Sequence, residues 1–181
     1  VGDGTGSWSP ASTNLPQTGS WGAVCLGSIN GDSYLDIAAS GFDAGGSGIC
    51  VWTGNGLGVW TPASTGLPPS GGYWGLKFGD LDLDGNTDIA ASIEYYSTGG
   101  IEIWKGDGTG SWVSTTSPST TLTELMDVCL GDINGDGSLD LGAVTQQRAW
   151  VWKNDLVSTD TTPPGQTTDL VASNPTASTI D

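Results

Sequence analysis

Asp132-Ile133-Asn134-Gly135-Asp136-Gly137-Ser138-Leu139-Asp140 is the stretch on which the reading of the chain turns. Acidic or amide side chains stand at positions 1, 3, 5 and 9 of this short loop, glycine stands at position 6, and Ser138 offers its backbone carbonyl at position 7. That is a set of hard oxygen ligands suited to Ca2+. The spacing recurs as Asp80, Asp82, Asp84, Asn86 and Asp88, and in a weaker form as Ser28, Asn30, Asp32, Tyr34 and Asp36. Turn chemistry alone accounts for Asp, Asn and Gly. It does not account for carboxylates placed together three times, because each close pair repels by roughly 4 kcal/mol at an effective dielectric near 20. The second loop carries four carboxylates, the third three and the first two, so calcium affinity is expected to fall in that order.

These are not EF-hands, which require a bidentate Glu at position 12. Ala91 and Ala143 stand there, inside the small apolar runs Asp88-Ile-Ala-Ala-Ser92 and Asp140-Leu-Gly-Ala-Val144. Neither run has a helical period. Each loop therefore reads as a link between two β-strands.

The composition agrees. The 181 residues include 30 Gly, 9 Pro and 9 Trp, one Met and no His, which suits many short strands and tight turns in an all-β fold. Four basic residues against 20 acidic ones leave a net charge of −16, a surface that repels phosphate backbones and anionic headgroups and attracts cations. Lack of His removes the usual general base. No run approaches the ~20 apolar residues of a membrane span, and no basic-then-apolar leader opens the chain at Val1, so a removed leader is expected. Millimolar calcium is found outside cells, which predicts an extracellular or cell-surface, secreted location.

At a period of about 52 residues, three repeats align. Gly2-Asp-Gly-Thr-Gly-Ser-Trp8 matches Gly54-Asn-Gly-Leu-Gly-Val-Trp60 and Gly106-Asp-Gly-Thr-Gly-Ser-Trp112, so the three tryptophans are equivalent. Each repeat then runs through a strand (21–27, 74–79, 126–131), the acidic loop, a second strand (35–40, 87–92, 139–145) and a third ending at Trp52, Trp104 or Trp152. With the segment after the Gly-x-Gly-x-Trp turn as a fourth strand, the pattern predicts three four-stranded antiparallel β-propeller-type blades, 2–53, 54–105 and 106–155, within a domain 1–155.

The Gly-Asp-x-Asn-x-Asp-Gly-x-x-Asp loop, the Leu-Asp-Ile-Ala-Ala strand and the Ile-x-Val-Trp-x-Gly-Asn-Gly turn resemble the FG-GAP and VCBS repeats of integrin-α-like propellers and of microbial surface proteins. The resemblance covers residues 2 to about 155. It implies a calcium-stabilised blade in an extracellular protein of adhesion or assembly. Ser28 and Ser33 depart from the pattern in the first loop, and Thr-Gln-Gln-Arg148 shortens the third hairpin. Residues 156–181 leave the repeat: Asp160-Thr-Thr-Pro-Pro-Gly165 reads as a linker, and 168–180 is similar to the opening strands of a fibronectin type III domain.

Three cysteines make an odd number. A Cys25–Cys50 bridge inside one blade requires a Cα separation below ~7 Å; small buried thiols are the competing reading, with Cys129 left free or paired with another chain.

Closed propellers have about four to eight blades, so three leave open flanks. These are expected to be covered by further parts of a longer secreted multidomain protein, by a second copy in a six-blade ring, or by copies stacked head to tail in a filament, with the C-terminal tail adding a strand to a neighbour. The function expected is a calcium-stabilised structural or adhesive module, with other copies of itself as partners and no nucleic acid. A carbohydrate-binding propeller is the alternative, on nine Trp together with Tyr95 and Tyr96, although the repeated Trp residues read first as blade packing. An enzyme is not expected: Glu94, Glu102 and Glu124 are scattered, and the paired acids are accounted for as metal ligands.

Overall fold

The computed structural model describes residues 4, 6–41, 48–93, 99–118, 122 and 124–156. They form eleven strands: β1 (Trp21–Gly27), β2 (Asp36–Gly41), β3 (Ile49–Gly54), β4 (Trp60–Pro62), β5 (Tyr73–Gly79), β6 (Asp88–Ile93), β7 (Gly100–Gly106), β8 (Trp112–Thr115), β9 (Asp127–Gly131), β10 (Asp140–Val144) and β11 (Ala149–Trp152). There is no helix among them. The strands make three antiparallel sheets, ordered β1-β2-β3-β4, β5-β6-β7-β8 and β9-β10-β11.

Period-2 alternation sets which residues meet which neighbour. On sheet 1, Ala38, Ile49 and Val51 face sheet 2, which answers with Leu76, Ile89, Ala91 and Trp104 in one buried cluster. The other face of sheet 2, with Ala90 and Ile101, packs on Val128, Leu141 and Ala143 of sheet 3. Sheet 2 is thus covered on both faces, and each buried Leu or Ile contributes roughly 1.5–3 kcal/mol. Edge-on aromatic pairs repeat in step: Trp21 with Trp52, and Tyr73 with Trp104, each with centroids 6.0 Å apart.

Two bulges also repeat, between Trp21 and Ala23 and between Tyr73 and Gly75. Each leaves a backbone N–H without a ladder partner, and a buried serine supplies one. Ala23 N donates to Ser40 Oγ and Gly75 N to Ser92 Oγ. Sheet 3 carries Val144 at that register and runs without a bulge.

Two expectations change. The third sheet has three strands rather than four among the described residues, because none of them pairs with the outer side of β11. The fourth strands that do form, β4 and β8, begin at Trp60 and Trp112, so each complete sheet takes three strands from one repeat and its outer strand from the start of the next. A Cys25–Cys50 bridge is not formed. Cys25 faces Ala38 and Cys50 faces Ala39 from opposite sides of β2, a separation of about two strand spacings, or ~9.6 Å. None of the three cysteines is in a disulfide; Cys25 and Cys50 are half-buried and Cys129 is exposed. The fibronectin-like segment, the linker and Tyr95 and Tyr96 lie outside the described residues.

Candidate metal centre

The three acidic loops connect the first and second strands of each sheet and are tied to one another. Thr87 Oγ1 donates to the Ser28 carbonyl at 2.6 Å, and Asn154 Nδ2 donates to the Leu81 carbonyl at 2.7 Å.

Position 9 has the same role in every loop. Asp36, Asp88 and Asp140 are buried, and both oxygens of each accept backbone N–H groups. One donor is the second residue of the loop: Ile29 at 2.7 Å, Leu81 at 2.8 Å and Ile133 at 2.9 Å. The other stands just after the third strand or at its end: Gly54 at 2.9 Å, Gly106 at 3.0 Å and Asn154 at 2.8 Å. Each carboxylate pins the loop to the strand two places away, and charge-assisted bonds of this kind contribute about 1.5–3 kcal/mol each. Loop spacing alone does not reveal this tie, because its second donor lies 14 to 18 residues downstream.

The second loop goes further. Oxygens of Asp80, Asp82 and Asp88 all lie within 4.8 Å of one another. Asp80 Oδ2 accepts from Gly85 N at 3.0 Å, but Asp80 Oδ1 is buried with no hydrogen-bond partner. Asp84 points elsewhere, accepting from Asn86 N at 2.7 Å, while Asp82 accepts from Asp84 N at 3.2 Å. Lys105 Nζ sits 2.6 Å from Asp82 Oδ2. That hydrogen bond, and the charges of Asp82, Asp88 and Asp84, raise the Lys105 pKa. Burial pushes the Asp88 carboxyl above its ordinary 3.8, and the neighbouring Asp82 and Asp84 charges add to the rise against the Gly106 and Leu81 amides. A partnerless buried carboxylate oxygen beside two further carboxylates fits a hard divalent cation. Asp80, Asp82 and Asp88 would hold it through side-chain oxygens, with Asp84 and the Asn86 carbonyl in the same loop.

In the third loop, Asp132 is engaged by Gly135 N at 2.7 Å and Gly137 N at 3.0 Å, Asn134 Oδ1 by Asp136 N at 3.0 Å, and Asp136 by Ser138 N at 2.8 Å. The Ser138 N–H leads the causes that lower the Asp136 pKa. In the first loop, Asn30 Oδ1 accepts from Asp32 N and Asp32 Oδ1 from Tyr34 N at 2.7 Å, while Ser28 gives its carbonyl to Thr87. Among the described residues, three acids gather closely in the second loop alone. Of the scattered glutamates, Glu102 accepts the Tyr73 hydroxyl at 3.2 Å, Glu124 lines a cavity with Trp74 and Leu125, and Glu94 lies outside the described residues.

Lys105 and position 4 were not singled out by the sequence reading. Position 4 is left-handed in all three loops, at Gly31 (φ 70°), Leu83 (φ 61°) and Gly135 (φ 78°). Glycine at two of the three positions was the available signal.

No curated protein matches the chain. Among solved structures, an Agrocybe aegerita lectin described as recognising non-reducing terminal N-acetylglucosamine aligns with a TM-score of 0.48 at 18% identity, over 74% of this chain and 35% of that one. The chain thus spans about a third of the lectin's length. The FG-GAP-like repeat family matches twice, at residues 29–91 and 90–143, each match taking in acidic-loop residues together with the strands that follow. The two matches together cover more than half of the sequence, and the chain belongs to the FG-GAP-like repeat family.

Proposed function

We propose that the protein is a calcium-stabilised structural or adhesive module of the cell exterior, with its sheets acting as blades of a propeller-type stack. The observation that carries this reading is Asp80 Oδ1, buried without a partner in a residue clustered with Asp82 and Asp88. Without a cation this cluster opposes folding through charge repulsion and desolvation. Bound calcium reverses that sign, and by mass action it stabilises whichever state it binds. The third and first loops are weaker calcium sites, in that order, since the third has three carboxylates and the first has two.

Two features support a structural rather than a catalytic role. The sequence has no His, and Asp88 has both oxygens tied to the backbone amides of Leu81 and Gly106. FG-GAP repeats are typical of extracellular or surface proteins, and among the described residues no helix is long and apolar enough to cross a membrane. Net charge of −16 suits a calcium-rich exterior.

The test is thermal unfolding in chelator, in magnesium and in calcium, with calorimetric titration of the metal. A calcium-specific rise in Tm with at least one binding event per chain is expected. Equal Tm values in all three conditions would overturn the reading.

A further inference from the structure

The repeat joint inside this chain occurs twice in full, and its two halves are left over at opposite ends of the stack. Trp60 Nε1 donates to the Ala11 carbonyl at 2.8 Å, and Trp112 Nε1 donates to the Ala63 carbonyl at 2.9 Å, each reaching 49 residues back. Parallel bridges Thr13–Val59 and Thr65–Ser111 run beside the two indoles. A Cβ on Gly58 would meet Ala11 Cβ at 2.7 Å, and one on Gly110 would meet Ala63 Cβ at 2.7 Å, so each turn is closed against the preceding repeat.

Trp8 and Gly6 are the third copy of the inserting half. Gly6 keeps the left-handed backbone of its counterparts, φ 89° against 77° and 93°, yet a Cβ there meets nothing within 4 Å. Trp8 is 84% exposed, whereas Trp112 is buried.

The receiving half is open between sheets 2 and 3. A cavity of about 350 Å3 there is lined by Ile103, Thr115, Leu141, Trp152 and Asn154, among others. In register these residues stand where Val51, Ala63, Ile89, Trp104 and Gly106 stand one repeat earlier. Those earlier positions surround Trp112: the first four share its buried cluster, and a Cβ on Gly106 would meet its ring at 3.1 Å. The cavity is thus the place that a tryptophan fills at the previous joint. Residues 153–181 contain no tryptophan.

The open flanks match in the same sense. On sheet 1, Val24 is 62% exposed where its counterparts Leu76 and Val128 are buried, so this face is built to be covered. On sheet 3, Val151 is 58% exposed where its counterpart Val51 is buried.

We propose that a second copy of this chain completes sheet 3: its Trp8–Ala11 segment pairs along the outer side of β11, and its Trp8 indole fills the cavity beside Thr115. One docking movement satisfies both halves. The strand lies antiparallel to β11 with Pro10 opposite Trp152, as Pro62 lies opposite Trp52. Trp8 Nε1 then donates to the Thr115 carbonyl, and the open face of the second copy's sheet 1 stacks on the open face of sheet 3. Pro118 occupies the position of Asn14 and Gly66, where proline cannot take a positive φ, so the segment after Thr115 follows a different path and the joint rests on the strand, the indole and the flanks. Repetition of the contact is heterologous, so it closes into a ring of two chains or extends as a filament.

The proposal goes beyond calcium binding and is tested apart from it, by light scattering of the full chain over a wide concentration series in both calcium and chelator. The chain is expected to assemble, and Trp8→Ala to weaken association by at least about 30-fold, the scale of losing a buried interface tryptophan. Trp8 is exposed, so the variant's circular dichroism spectrum should show an intact fold. Thr116→Trp, at an exposed position on the cavity rim, is expected to block the receiving half. Mixed in equal amounts, the two variants should form heterodimers joined once, since each retains the half the other lacks. A wild-type chain that stays monomeric in both conditions would overturn the proposal and assign the outer side of β11 to the same polypeptide. So would a Trp8→Ala chain that assembles as the wild type does.

Discussion

Asp80 and Asp88 share one loop and have opposite roles in the metal-free protein. Asp88 is a structural tie, with both oxygens satisfied by Leu81 and Gly106. Asp80 keeps one buried oxygen unsatisfied. Asp80→Asn is therefore expected to lower calcium affinity at least about tenfold while raising stability in chelator by about 1 kcal/mol. Calorimetric titration and chemical denaturation together read both signs. Asp88→Ala is expected to destabilise the protein by about 3 kcal/mol even in chelator, since it removes two charge-assisted bonds. Acidity supplies another test. Because the folded Asp88 carboxyl titrates above 3.8, its contribution to metal-free stability is complete below 3.8 and is lost as pH rises through the folded value. Calcium favours the carboxylate, so stability in calcium and in chelator should diverge as pH rises through that window. Denaturation midpoints at stepped pH values measure the divergence. The sequence made these acids conspicuous, but it did not show that Asp88 is a backbone tie as well as a candidate ligand, because Gly106 lies 18 residues from Asp88 and carries no side chain to signal the bond.

The nine-residue loops need a left-handed residue at position 4, and only two of the three supply glycine. Leu83 takes φ 61° there with its side chain largely in solvent. A left-handed L-residue costs roughly 1–2 kcal/mol, and glycine returns part of that as unfolded-chain entropy. Leu83→Gly is thus expected to stabilise the protein by about 0.5–1 kcal/mol, read from the denaturant midpoint at unchanged slope. The strands themselves were legible from alternation and from the repeated tryptophans, because a residue spaced by a full repeat meets the same neighbours in each sheet. Partition of the outer strands was less so. Trp60 opens a sequence repeat yet closes the preceding sheet, and only the Gly54–Trp60 pairing reveals it.

Across the whole molecule, surface chemistry differs between the two open flanks. Cys129 lies exposed on sheet 3, while Cys25, at the equivalent register, faces sheet 2 and has its thiol pushed up to about 11 by burial. The thiolate is the reactive form, so iodoacetamide should modify Cys129 well before Cys25, as peptide mass mapping will show. If copies stack on this flank, Cys129 becomes slow to react at high protein concentration and fast again in Trp8→Ala. Three sheets and their order could be anticipated from the repeat, but the inequality of their flanks could not. Val24 and Val128 are the same residue type at the same register, and only the presence or absence of a neighbouring sheet distinguishes them.

Because each outer strand belongs to the following repeat, synthesis on the ribosome imposes a schedule. Sheet 1 has three strands when Gly54 has emerged and waits for Trp60–Pro62 before its edge is covered. Sheet 2 waits likewise for Trp112–Thr115. At each of these stages the open side of β3 or of β7 is the template for the next segment to leave the exit tunnel. Order of emergence therefore matches order of pairing, which keeps each newly made strand beside its correct partner before a competing edge from another chain can reach it.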